Sequence, residues 1–245
     1  MGKNNYLGYA AAFGAGLATA YVVAGAPAGP VMPSGLVSWW KFEGNYNDSV
    51  GTNNGVPSGG ASIVNDPQRG SVLQLDGING YIGIPSSPSL NALSNTTVSM
   101  WFYQTDNSIN RNLFGFFFNM SDRMDLMLRT DAKLRCNSVD DGVPQSQTST
   151  NTVINTVGHW HHIVVLYTSY GTELFLDGSY WETLNLITNT LNIMNDGYGM
   201  YIGNWRPYEG VTYDTPWAGM LDDIMLFNRV LTDQEILNIY SMQNK

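Results

Sequence analysis

The chain has 245 residues, with 20 acidic against 11 basic side chains, a net charge of −9, and 43% hydrophobic but only 13% charged residues. That length suits one domain of about 200 residues plus a short extra segment. The acidic balance excludes nucleic acid as the main partner, since phosphate binding needs Lys and Arg in excess. Cys136 is the single cysteine, so no internal disulfide forms and stability rests on the core.

No charged residue lies between Lys3 and Lys41. Tyr6 to Gly29 reads YLGYAAAFGAGLATAYVVAGAPAG, long enough for the roughly 20 residues of a membrane-spanning helix. Small residues recur every fourth position, at Ala10, Gly14 and Ala18 and again at Ala12, Gly16 and Ala20. On a helix each set lies along one side, where it permits close backbone approach. Tyr6, Tyr9 and Tyr21 fall near the ends, as interfacial rings do. The favoured reading is a retained membrane or assembly helix. A cleaved signal peptide, with Lys3 as its basic region and Ala24-Gly25-Ala26 as its cleavage pattern, stays open; so does a soluble arm. Pro27, Pro30 and Pro33 then make a stiff linker. Residues 1–34 are thus read as a hydrophobic segment with its linker, and 35–245 as the globular domain.

From Gly35 onward short apolar runs alternate with turn clusters, the pattern of an all-β sandwich. The runs are Leu36–Phe42, Val72–Leu75, Tyr81–Ile84, Val98–Tyr103, Leu113–Phe118, Met124–Arg129, His162–Thr168, Leu174–Leu176, Met200–Ile202 and Leu221–Phe227. Asp177-Gly178 between them is a two-residue hairpin turn, because both central residues of a type I′ turn need positive φ. Asp76-Gly77 is read as a turn of similar kind. One helix is expected over Thr232–Met242, with Thr232 as N-cap, Glu235 completing a capping box, and Ile236, Ile239 and Tyr240 as its apolar stripe.

The order of segments resembles the LamG-like jelly-roll family of the concanavalin A-like lectin/glucanase superfamily. The resemblance is carried by LVSWWKFEGNYNDSVGTNNG (36–55), LQLDGINGYIGIP (73–85), TVSMWFY (97–103), HWHHIVVLY (159–167), ELFLDG (173–178) and WAGMLDDIMLFNRVLTDQEILNIY (217–240). It implies a two-sheet antiparallel sandwich over residues 35–242, and it leaves function open, since this fold serves lectins, adhesins, enzyme accessory domains and structural proteins alike.

Four constellations carry candidate chemistry. The loop 43–55 offers Glu43, Asp48 and Asn54, and the last strand offers Asp222, which shares strand parity with Ile224 and Leu226 and is therefore expected to point inward. Such oxygen donors suit a structural Ca²⁺, and the resemblance implies one too; the competing reading has Asp48 capping a turn and Asp222 bonding backbone amides. The run His159-Trp160-His161-His162 is expected to pack rather than bind zinc. Paired carboxylates in a Glu-x-Asp-x-Glu pattern are missing, as are nucleophile-elbow and phosphate-loop motifs, so no catalytic residue is assigned. Trp205, Tyr208, Tyr213 and Trp217 crowd one stretch and form a speculative sugar platform; the competing reading has them filling the sandwich edge.

The expectation is a non-catalytic surface recognition or adhesion module that takes carbohydrate or a cell-surface receptor. It is held by residues 6–29 through membrane or homo-oligomer contact, at a bacterial envelope or virion surface. The alternative is a structural assembly protein, such as a minor capsid, vertex or spike component of a membrane-containing virus or an envelope array subunit.

Overall fold

The computed structural model describes residues 31–91, 93, 95–117, 123–140, 143–168, 171–184, 199–204 and 215–244. The helix expected over residues 6–29 lies outside them. In chain order the strands are β1 (Leu36–Trp40), β2 (Val56–Ser58), β3 (Ser62–Asp66), β4 (Gly70–Asp76) and β5 (Tyr81–Ile84); the short helix α1 (Pro88–Asn91) follows. Next come β6 (Thr96–Gln104), β7 (Arg111–Phe117), β8 (Arg123–Leu128), β9 (Leu134–Asp140) and β10 (Val143–Thr148). The last are β11 (Trp160–Thr168), β12 (Gly171–Leu176), β13 (Ser179–Leu184), β14 (Met200–Ile202) and β15 (Ala218–Phe227), closed by helix α2 (Asp233–Gln243).

The strands form two antiparallel sheets. Sheet A runs β13-β12-β11-β6-β15-β4-β3, with β1 also on β15; sheet B runs β10-β9-β8-β7-β14-β5-β2. Between the sheets lies a core that includes Trp40, Phe102, Phe114, Leu126, Ile163, Ile202 and Trp217. Each such side chain contributes roughly 1.5–3 kcal/mol on burial. A second apolar cluster sits on the outer face of sheet A, where Val164, Leu166, Phe175, Met225 and Phe227 pack against Ile236 and Ile239 of α2. Because α2 covers that face, β6 and β15 are buried on both sides, and their sequences read as near-continuous apolar runs instead of alternating ones.

Local chemistry sets the joints. Asp177 (φ 50°) and Gly178 (φ 79°) make the expected type I′ turn between Leu176 and Ser179. Asp76-Gly77 is a different device from the hairpin that was expected. It forms a corner between β4 of sheet A and β5 of sheet B, in which Asp76 Oδ1 accepts from the amides of Ile78, Asn79 and Gly80. Helix α2 carries the full capping box of Thr232 and Glu235.

Strand β15 holds the main departure from a regular ladder. Its pairing with β6 runs Leu221↔Phe102 and Asp222↔Trp101, then resumes at Met225↔Ser99. The bulge leaves Asp223 at φ 47°. On the opposite edge, β15 pairs with β4 before the bulge and with β1 after it. The extra residue inverts the parity that simple alternation assigns. Asp222 faces outward with Trp101, while Ile224 and Leu226 face the inter-sheet core.

Candidate functional site

On sheet B, Ile82, Ile84, Met200 and Ile202 point into the core, so strand alternation turns Tyr81, Gly83 and Tyr201 outward. The register aligns Val56, Gly83, Tyr201, Gly115, Asp125 and Asn137 in one cross-strand row. Tyr201 is therefore flanked by two glycines, and its directly opposed residues present no side chain. The Tyr81 and Tyr201 rings stand 6.0 Å apart, tilted by 49°. With Val56, Pro57, Ser58, Pro85 and Gly199 they line a trough of ≈ 360 Å³. Both tyrosines are partly exposed. Such a surface offers an apolar ring face beside hydroxyl and backbone hydrogen-bonding groups, the combination that a sugar ring presents in complement.

Further along the row, Asp125 is 1% exposed. Its Oδ2 accepts from Asn112 Nδ2 at 3.1 Å and from Asn137 Nδ2 at 2.9 Å. Among the described residues of this face no second carboxylate stands beside it. Glycoside hydrolysis by the usual route needs two, roughly 5–9.5 Å apart.

The residues expected to surround a cation are not brought together. Asp48 Oδ1 accepts from the amides of Trp39 and Val50 (both 3.0 Å), and its Oδ2 from Asn53 N at 3.2 Å. Burial opposes its ionisation, but the amides of Trp39, Gly51 and Val50 outweigh that and hold it below the usual carboxylate range. Asn54 Oδ1 accepts from Asp48 N at 3.0 Å, and Glu43 is exposed. Asp222 lies elsewhere, 2.8 Å from Arg69 Nε, while Asp223 is 3.0 Å from Arg69 Nη2. No group of three His, Cys, Asp or Glu side chains among the described residues could hold a metal. Backbone amides donate to Asp48 and the Arg69 guanidinium to Asp222, so the two carboxylates belong to separate hydrogen-bond clusters.

Arg69 is the residue that sequence reasoning missed. It is 4% exposed, with Asp222 at 2% and Asp223 at 7%. Its Nη1 also donates to the Gln243 carbonyl at 3.0 Å, and its guanidinium lies 4.1 Å from the Trp101 ring centre. Burial and the adjacent Asp223 carboxylate raise Asp222 to about 7, against the pull of Arg69. Trp39 Nε1 completes the cluster with a 2.9 Å bond to Asp223 Oδ1.

Trp205, Tyr208 and Tyr213 lie outside the described residues. Trp217 does not belong to an exposed platform: it is 0% exposed and meets Phe102 edge-on at 5.8 Å. The histidine run splits three ways. His159 is exposed; His161 Nδ1 pairs with Asp177 Oδ2 at 2.9 Å; and His162 is buried against Trp101 and Tyr240, with Nε2 2.8 Å from Ser99 Oγ. Burial lowers His162 to about 3, so it is neutral. Burial also works against charge on His161, but Asp177 overcomes it and raises His161 above its ordinary value.

A family model described as the concanavalin A-like lectin/glucanases superfamily matches residues 76–237. No curated protein sequence matches the chain. Domain 4 of AbnA, an extracellular arabinanase from Geobacillus stearothermophilus solved with arabinotriose, superposes with a TM-score of 0.67 at 15% identity, over 84% of this chain and 98% of that one. Botulinum neurotoxin type C, whose cell entry is described as dependent on two ganglioside molecules, gives 0.64 at 12% identity, over 86% of this chain and 52% of the toxin chain. A Trypanosoma rangeli sialidase gives 0.64 at 16% identity, over 88% of this chain but 35% of the sialidase. The present chain therefore spans about half of the toxin chain and about a third of the sialidase, and at these identities the likeness concerns the fold.

Proposed function

We infer that this chain, which belongs to the concanavalin A-like lectin/glucanases superfamily, is a carbohydrate-recognition module without catalytic activity, and that the trough beside Tyr81 and Tyr201 holds its ligand. The observation that carries this reading is the Gly83–Tyr201–Gly115 row, which leaves one aromatic ring standing between two residues without side chains on an outward sheet face. Neighbours of the same fold solved with arabinotriose or described as interacting with gangliosides support the ligand class. Among the described residues no second carboxylate stands beside Asp125, which supports binding over hydrolysis by a carboxylate pair.

Binding of neutral oligosaccharides, screened on a glycan array and followed by calorimetry, tests the reading. Tyr201→Ala removes one stacking ring and weakens binding by roughly tenfold, equivalent to about 1.4 kcal/mol. Gly83→Ala serves as a filling variant. Its Cβ would sit 3.8 Å from Tyr81 Cε2 and 3.9 Å from Tyr201 Cε1, ordinary contact distances that keep the fold while narrowing the trough. Unchanged affinity in both variants would refute the site, and hydrolysis of any bound glycan that is lost in Asp125→Asn would refute the non-catalytic reading. Anchoring by residues 6–29 and a surface location belong to the same proposal and are supported by the sequence pattern; flotation of the full chain with vesicles, against a chain starting at residue 35, tests them.

A further inference from the structure

A second concavity lies on the opposite side of the sandwich, on the outer face of sheet A beyond the end of α2. It encloses ≈ 260 Å³, below the roughly 300–1,000 Å³ of sites for drug-sized ligands. Its exposed aromatic walls are Trp160 and Tyr240, both partly exposed; Trp101, 4% exposed, forms the base, with the Arg69 guanidinium 4.1 Å from its ring centre. Trp101 stacks on Tyr240 at 5.5 Å and 15°, and Tyr103 meets Trp160 at 5.6 Å. Trp160 Nε1 donates to Asp66 Oδ1 at 3.2 Å, which fixes the indole plane while leaving the residue partly exposed. The rim carries Gln68, His159 and Asn244, all exposed.

The charges near this pocket are paired within the protein. Arg69 donates through Nε, Nη1 and Nη2 to Asp222, the Gln243 carbonyl and Asp223. Asp177 accepts from His161 Nδ1 and from the His162 amide. An anionic ligand would find its nearest guanidinium already held between two carboxylates. What remains is the partly exposed surface of Trp160 and Tyr240, ringed by two carboxamides, an imidazole and the Asp177 carboxylate, which can accept from sugar hydroxyls; this set matches an uncharged, polyhydroxylated ring.

We propose that this pocket is a second carbohydrate site that takes a single neutral sugar ring, and that it faces away from the sheet B trough. The inference rests on the carbohydrate reading of the protein and adds a separate position and a different ligand shape. The trough lies open along the sheet and accepts a chain; the smaller pocket accepts one terminal unit. Two sites on opposite faces let one molecule cross-link glycans carried on two separate partners; they do not engage a single surface together, because their geometry forbids simultaneous contact with it.

Two-dimensional NMR of the full chain, titrated with glucose, galactose, mannose, arabinose and N-acetylglucosamine, tests the proposal. One of these sugars is expected to shift the Trp160 indole N–H and the His159 and Asn244 amides saturably. Trp160→Ala abolishes the shifts. Gln68→Ala with His159→Ala weakens them about tenfold through exposed side chains that the fold does not need, and Tyr201→Ala leaves them unchanged. Shifts confined to Tyr81, Gly83 and Tyr201 would overturn the pocket while leaving the carbohydrate reading in place. No shift at either position with any sugar would overturn both.

Discussion

Replacing Arg69 with Met keeps the length of the side chain but removes its charge and its donors. It leaves Asp222 and Asp223 side by side at 2% and 7% exposure with no guanidinium between them. Removing one partner of a buried ion pair costs about 3–5 kcal/mol, and here two carboxylates lose the same partner. The variant should fall at the upper end of that range, and with roughly 2–4 °C per kcal/mol for a domain of this size its Tm drops by on the order of 10 °C or more. Urea unfolding followed by tryptophan fluorescence measures the loss as a lower midpoint with an unchanged slope. The pH dependence supplies a second readout. Asp222 titrates at about 7 in the folded state against 3.8 unfolded, so the native chain keeps a proton that the unfolded chain releases. Wild-type stability from this group is present below about pH 4 and is lost as pH rises through about 7. Without Arg69, Asp222 holds its proton more strongly still, so the deficit is largest at about pH 8 and smaller at about pH 5. A deficit below about 1 kcal/mol, or one equal at both pH values, would refute the reasoning.

Asp177→Asn keeps a residue that tolerates positive φ in the hairpin turn but removes the carboxylate partner of His161; with the largest raising influence gone, the His161 pKa falls from its raised value, read by NMR titration of the imidazole. In the wild type the Asp177 share of that pair is lost as pH falls and the His161 share as pH rises through its raised value. Gly219→Ala is severe, because φ is 139° and the new Cβ would stand against the Tyr103 carbonyl oxygen, whereas Gly70→Ala, with nothing within 4 Å, costs about 1 kcal/mol through φ alone; thermal unfolding separates the two. Thr232→Ala removes the cap of α2 and lowers stability by about 1 kcal/mol by the same assay. Millimolar Ca²⁺ against EDTA leaves Tm unchanged, since Asp48 is already satisfied by amides; a saturable rise would assign a cation to loop 43–55.

The strands of the core were legible in the sequence because burial on one or both faces forces apolar runs. Those at the margins were not: β2, β9 and β10 read Val-Pro-Ser, LRCNSVD and VPQSQT, whose composition alone resembles loop. Asp222 shows the limit of alternation, since one inserted residue reverses every assignment beyond it. Arg69 gave no local sign, because its carboxylate partners are 153 and 154 residues away. Tyr81 and Tyr201 were inside recognised runs, yet the denser aromatics of 205–217 drew the platform reading. The usable signal was a glycine at the outward position of a strand, Gly83 in Tyr-Ile-Gly-Ile, which marks open ground beside a ring.

The placing of β15 bears on how the chain comes to fold. The last of the described strands, β15, sits in the middle of sheet A, bonded to β6 on one side and to β4 and then β1 on the other. Until residues 218–227 have left the ribosome, β6, β4 and β1 each lack a partner along one edge, and the sandwich has no means of closing. Earlier hairpins such as β11–β12 can form locally, but the cooperative step waits until β15 has emerged, as expected of topologies dominated by distant pairings. Truncation anywhere before Phe227 should therefore yield a chain with exposed strand edges, prone to aggregate, instead of a smaller folded domain.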